Sequence, residues 1–405
     1  MRRHLKLRIG TLLLGILSPL ATAIPAHAAT ITWSGSEDSS YSFSANWDAG
    51  VPAASSDAVF PASALNQEVD MDSAGAELRK IIFNGNVSGS SSKSYNITSS
   101  LSELYAKISV SSGIEAIMTG SGGDHSVGIG VILTGDATFK TTGSNTLSVG
   151  AEGTTLDLGS NDLTLDASGG TISLLGEIAG SGKMIKSGDA KLKLMATPGS
   201  GYSGSIELSE GVLSIDETFG AANVTINGGT LKGSGSVGEI TMTSGTIAPG
   251  NSPGCLNSSD MSLTGGSYDV ELGGTSVTNC EYDNMVVTGA VDLGSDTTLN
   301  LSLVSEYAPS KDDTYSIILN DGTDAISGAF KGLDEGEKFT LGSYTYQISY
   351  KGGDGNDITV KVTGTPSAPD TGSESILQRP WMTLALAAFV ALIGFSHYYI
   401  RTKKR

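Results

Sequence analysis

From Val131 onward the chain is cut into short apolar clusters, each closed within a few residues by Gly, Asn, Asp or Ser, and this pattern constrains the fold more than any other feature. The clusters include Val131 to Leu133, Leu147 to Val149, Leu163 to Leu165, Leu192 to Leu194, Val212 to Ile215, Val224 to Ile226 and Thr246 to Ile247. They recur at spacings of roughly seven to ten residues, with no helix-length segment between them. Such pieces feed a core only as strands joined by turns. Composition agrees: 54 glycines, 6% aromatic residues and 16% charged residues in 405 suit turn-rich β structure and disfavour helix. A hydrophobic fraction of 39%, spread evenly, also argues against uniform disorder.

Two arrangements accept many short strands: the coils of a parallel β-helix, three strands to a coil, or the strands of a sandwich. Internal self-similarity favours the coil. Gly169-Gly170-Thr171-Ile172 has a counterpart in Gly228-Gly229-Thr230-Leu231, and each is followed by Gly-Ser-Gly, at Gly180 to Gly182 and Gly233 to Gly235. In stacked coils, alternating Val, Ile and Leu sit above their equivalents one coil earlier, and each coil buries a thin slice against its neighbours. A core can therefore close with few aromatics. Both ends of such a stack need atypical caps, and Trp33 and Trp47 near the start and the tyrosines from Tyr307 to Tyr350 mark the flanks as different.

The segment Gly228 to Gly238, followed by Gly245-Thr-Ile-Ala-Pro-Gly-Asn-Ser-Pro-Gly254, resembles the autotransporter-associated β-strand repeat, also called the passenger-associated transport repeat. Gly180 to Gly188 with Tyr202 to Leu213 is similar to a further unit. The flanks Trp33-Ser-Gly, Asn46-Trp47, Asp57 to Phe60 and Ile348 to Asp357 are similar to those of secreted proteins that carry the repeat. The resemblance implies an all-β, right-handed parallel β-helix exported to the cell surface, associated with adhesion or surface structure, with no catalytic residues to carry over. Autotransporters end in a membrane β-barrel, and the residues after Val362 are too few to supply its eight or more strands.

The two ends carry export and anchoring signals. Basic residues from Arg2 to Arg8, an apolar run from Ile9 to Leu20 and Ala26-His27-Ala28 form a secretory signal peptide over 1–28, with cleavage between Ala28 and Ala29. The Arg2-Arg3 pair is compatible with a twin-arginine signal and with an ordinary basic leader. The remaining plan is an N-terminal β cap and first coils over 29–130, a β-helix over 131–268, a C-terminal β segment over 269–362 and a linker over 363–380. Residues 381–400 are apolar, carry no formal charge and are long enough for a transmembrane helix, and 401–405 is a basic cytoplasmic tail. Pro369-Asp370-Thr371-Gly372, the apolar span and the basic tail together resemble the LPxTG cell-wall sorting signal, with Ala368 where the motif has Leu. That resemblance implies a sortase-type transpeptidase and a cell-wall peptide as partners, with Thr371 joined to the wall in a bacterium with a single membrane. A plain membrane anchor is the alternative.

Between Ala29 and Thr371 there are 15 basic and 41 acidic residues, a net charge of −26, with Arg79 the one arginine. Such a surface repels phosphate backbones, which excludes nucleic-acid binding. Cys255 and Cys280, in a secreted chain, are read as a disulfide, two reduced thiols being the alternative. Gly352-Gly353-Asp354-Gly355-Asn356-Asp357 matches the opening of a calcium-binding nonapeptide, with Asp354 and Asp357 as the candidate ligands, but a single unit supplies few oxygens and a structural turn is the alternative. Asp70 with Asp72, or Asp312 with Asp313, would form the acid/base pair of a β-helix glycosidase or lyase, and a Ser-His-Asp device would depend on His125 in Gly122-Gly-Asp-His-Ser126. No cofactor is expected. The expectation is a non-catalytic, surface-anchored solenoid acting as adhesin or display protein toward a host or neighbouring-cell ligand, with a carbohydrate-active enzyme and a calcium-linked envelope coat as alternatives.

Overall fold

A computed structural model describes residues 28–72, 75–84, 94–101, 107–117, 123–220 and 222–366. They are all-β apart from one 3-10 turn, Ser44–Asn46, and their strands lie mostly in long parallel sheets, the arrangement of a β-solenoid. Among these residues no helix is long and apolar enough to cross a membrane. Residues 1–27 of the signal peptide 1–28, the sorting motif, the span 381–400 and the basic tail 401–405 lie outside the described residues. The chain divides into two units, Met1–Glu217 and Thr218–Arg405, a division that falls inside the stretch 131–268.

In the first unit, nearly every apolar cluster is a strand with alternate residues buried. Leu163–Ala167 (LTLDA) buries Leu163, Leu165 and Ala167 and pairs in parallel with Ala137–Thr141 on one side and Met184–Ser187 on the other. Register lock produces continuous interior columns, because parallel neighbours put like positions on the same face. One column is Leu147, Ile172, Leu192, Leu213, and a second is Val149, Leu174, Leu194, Ile215. All eight side chains are almost fully buried. Equivalent positions return about every twenty residues, as coil stacking requires.

The coils grow out of one long strand. Lys107–Ile117 pairs with Gly130–Leu133 through its first half and with Ala137–Thr141 through its second. Gly113 marks the corner between the halves, with φ at 131° and a position where a Cβ would lie 1.9 Å from Thr138 O. Only glycine fits there. Before this corner the interior is aromatic: Trp33, Trp47, Phe60, Phe83 and Tyr95 form a chain of ring contacts 5.0 to 6.0 Å apart. Large rings replace the stacking that a first coil lacks on its outer side.

The second unit repeats the plan and then leaves it. Val224, Ile240, Met261 and Val291 form one interior column, and Leu231, Ile247, Tyr268 and Leu299 another. Gly170 in the first unit and Gly229 in the second, the second glycines of the two Gly-Gly-Thr motifs, take nearly the same left-handed conformation, φ 66° and 68°. The sequence repeat is thus a repeat of corner geometry. After Thr314–Asn320 the pairing turns antiparallel through Asp357–Gly364, Tyr344–Gly352 and Lys338–Leu341. This hairpin layer holds most of the C-terminal tyrosines, with Tyr315, Tyr346 and Tyr350 buried in it.

Candidate functional site

A change of coil length is one way for a solenoid to form a concave site. That occurs in the second unit. Thr230–Lys232 and Thr246–Ile247 are short, whereas Ser267–Leu272 and Thr298–Leu303 on the same sheet each run six residues. Where the short strands end, Ala248-Pro-Gly-Asn-Ser-Pro-Gly254 swings out of the coil, and the longer strands run on past it. The result is a depression of about 120 Å³ lined by Lys232, Ala248, Pro249, Gly250, Ser252, Asp269, Glu271, Asp283 and Ser302.

Three carboxylates and one lysine line this depression, and each carboxylate is held differently. Asp283 is buried; its Oδ1 accepts from Gly254 N at 2.7 Å and its Oδ2 from Glu271 N at 3.0 Å. It therefore latches the excursion loop to the long strand. Burial pushes its carboxyl up to about 7, against the lowering effect of the two amides. Glu271 accepts from Ser252 Oγ at 2.5 Å, and Asp269 accepts from Asn300 Nδ2 at 2.8 Å. Ser252 sits at φ 80°, a left-handed conformation rare for a side-chain-bearing residue. Cys255 and Cys280 are joined by a disulfide with Cα atoms 5.6 Å apart, next to the latch, and Asn284 Nδ2 lies 3.0 Å from Cys255 Sγ. Chemically, the depression offers one carboxyl whose protonated form is favoured by burial, beside two hydrogen-bonded acids, a hydroxyl and a cation.

Of the described residues singled out in the sequence, the disulfide and the Ala248 to Gly254 part of the repeat motif lie at the depression, and the candidate catalytic and calcium residues lie elsewhere. Asp72 accepts from Ser40 Oγ and from the amide and hydroxyl of Ser42, which hold its carboxyl below the usual range despite its partial desolvation. Asp70 accepts from Ser100 N at 2.7 Å. Both carboxylates thus close loops and do not face each other as a catalytic pair. Asp312 pairs with Lys361 at 3.0 Å, and Asp313 accepts from Ser310 N at 2.7 Å, a turn contact. Arg79 is paired with Asp57.

His125 is buried in the aromatic start of the first unit, stacked on Phe83 at 4.7 Å with planes 3° apart. Its Nδ1 accepts from Tyr95 N at 3.1 Å, and Nε2 has no partner among the described residues. Burial pushes the imidazole down to about 4, so it is neutral at pH 7. Among the described residues neither ring nitrogen is hydrogen-bonded to a serine or a carboxylate, although the charge of neighbouring Asp124 opposes the lowering.

Asp354 and Asp357 bracket the hairpin turn between Tyr344–Gly352 and Asp357–Gly364. Asp357 turns inward and accepts from Asn320 N at 3.1 Å, and Asn356 Nδ2 donates to Asp321 O and Asp324 O. Among the described residues no group of three or more His, Cys, Asp or Glu side chains is placed to hold a metal ion. Ala29 begins the first described strand, Ala29–Thr32.

Sequence reading missed Asp283 and also Lys186. Met184 and Lys186 share the buried side of Met184–Ser187, so Lys186 occupies an interior column between Leu165 and Leu208. Its Nζ donates to Ser187 O, Gly188 O and Glu210 O at 2.7, 2.6 and 3.1 Å. Burial pushes it down to about 8, against the opposing pull of Asp166, Glu210 and Asp189. The alternation of apolar residues marks Lys186 as inward-facing; for Asp283 no local pattern exists.

No family model matches the chain. It is similar to an extracellular serine protease of Serratia marcescens, with 29% identity over 201 residues that make up 48% of this chain and 18% of that protein. The chain therefore corresponds to less than a fifth of that relative's length.

Proposed function

We propose that this chain is a secreted, non-catalytic β-solenoid of the autotransporter-associated repeat type, displayed at the cell surface as an adhesin or structural element. The observation that carries this reading is the stack itself: register-locked aliphatic columns inside, polar side chains outside, and coil corners built from the same Gly-Gly-Thr geometry. Such a scaffold presents surface and needs no chemistry to do so. The name of the Serratia relative, an extracellular protein, supports export. The Pro369 to Gly372 motif, apolar span and basic tail support anchoring to wall or membrane, with a sortase-type enzyme and a wall peptide as partners. Mass spectrometry of protein released from the envelope tests this. Thr371 joined to a wall peptide is the expected result, an intact Arg405 leaves a membrane tether, and recovery of the whole protein from the medium overturns anchoring.

The depression around Asp283 favours a second reading, a carbohydrate-active site with Asp283 as proton donor and Glu271 or Asp269 as base. Release of sugar products from acidic polysaccharides that disappears in both Asp283→Asn and Glu271→Gln would establish it. Equal release by all three proteins, or none, removes it.

A further inference from the structure

The sheet edges in this chain are not treated alike. Thr32 at one edge has its amide capped by Asp48 Oδ1 at 2.8 Å. Thr197–Tyr202 carries Pro198, which has no amide to donate. Val291–Asp292 is closed by a reciprocal exchange with Ser327, and Lys338–Leu341 begins with a charge. These are the ordinary devices that blunt an edge.

Thr298–Leu303 (TLNLSL) has none of them along its own length, although just before it Thr297 O accepts from Lys331 N at 2.8 Å. It pairs with Ser267–Leu272 on one side, and among the described residues no strand pairs with the other. Its six residues include no charge and no proline. Leu299, Leu301 and Leu303 continue the columns of Tyr268, Val270 and Leu272, which are 0% exposed, yet all three leucines are only partly covered. The amides of Thr298 and Val304 point to the neighbouring strand, at Gly266 O and Leu272 O. Alternation then turns the amides and carbonyls of Leu299, Leu301 and Leu303 to the open side.

We propose that this edge pairs with the same strand of a second copy, antiparallel and two-fold symmetric about Leu301. The sequence is self-complementary in that register: Leu299 faces Leu303, Leu301 faces itself and Asn300 faces Ser302, so leucines meet leucines on one face and polar groups meet on the other. Charge selects the same partner. In a chain with net charge −26 between Ala29 and Thr371, most faces repel another copy, and this strand contributes no charge to the approach. Asp296 and Glu306 lie just beyond its two ends and meet in this register, Asp296 with Lys331 Nζ at 3.7 Å; added salt screens the net negative charge of the two copies and so strengthens the pairing. Two six-residue strands bury on the order of several hundred Å², below the ~1,200 Å² of stable interfaces, so association is weak and suits crowded copies on one surface.

The test uses the full chain in mild detergent and stands apart from the anchoring question. Leu301→Cys should form an intermolecular disulfide at least about tenfold faster than the exposed control Thr264→Cys, because pairing holds the two thiols together. Peptide mapping should join position 301 to position 301. Sedimentation should show salt-strengthened self-association of the native chain that Leu301→Lys abolishes, with the circular dichroism spectrum unchanged. Cross-linking no faster than the Thr264→Cys control, or self-association undiminished by Leu301→Lys, overturns the proposal. If Leu301→Lys fails to fold, the cysteine cross-link decides alone.

Discussion

The coils from 131 to 217 and the segment from 248 to 302 are built from the same strands and corners but handle buried charge in opposite ways. In the first, a lysine takes an interior column position and its ammonium is absorbed by three carbonyls at one coil corner. In the second, an aspartate is buried at a latch between an excursion loop and a lengthened strand, with a depression beside it. Regular coils can hide a charge within an interior column. A change of coil length creates the concavity, and the buried charge there also holds the loop that forms its wall.

The largest expected effect tests the latch. The folded state raises the Asp283 carboxyl from 3.8 to about 7, so the folded protein binds an extra proton between those values. Its stabilising contribution is full below pH 3.8 and is lost as pH rises through 7. Relative to Asp283→Asn, the native chain should gain on the order of 4 kcal/mol between pH 8 and pH 3. Urea melts at several pH values check this, and parallel curves for the two proteins would break the contrast.

Lys186 should show the mirror image. Its pKa is lowered from 10.5 to about 8, so the unfolded chain binds the extra proton between those values. Stability is lost as pH falls through 8 and gained as it rises toward 10.5, on the order of 3 kcal/mol relative to Lys186→Met. An alkaline melting series in which both proteins move together would remove the buried cation from the account.

The disulfide sharpens the comparison further. A bond closing a 25-residue separation contributes about 3 kcal/mol in the chain-entropy model. Reduction, or Cys255→Ser, should lower stability by about that amount and raise hydrogen exchange at Gly254 and Glu271 while sparing the amides of Leu192 and Leu213. Uniform loss of protection across both regions would mean that the loop is not held separately from the coils.

Much of the fold was legible because its rules are local. A strand such as LTLDA shows its buried side by alternation, and Gly170 and Gly229 repeat one corner in sequence and in φ. The same alternation, followed through Met184 to Ser187, was the signal for the missed interior Lys186. The latch was not legible, since Asp283 reaches Gly254 across 29 residues and Glu271 across 12, and an acid among 42 carries no mark of its partners. The acidic pairs misled for the same reason: Asp70 and Asp72 are neighbours in sequence, but each turns to a different backbone or hydroxyl donor.

The smallest effect concerns the outer faces, which both regions share. Lys183 Nζ lies 2.8 Å from Glu207 Oε2 across adjacent coils, with both side chains substantially exposed. Glu207 draws the lysine pKa upward, yet solvent screens the pair. Lys183→Ala should therefore cost about 0.5 kcal/mol or less, and that loss should vanish in molar salt. A cost comparable to that of the Asp283 latch would mean that the polar exterior helps to set coil register. The interior columns would then no longer be sufficient to explain why the strands stack where they do.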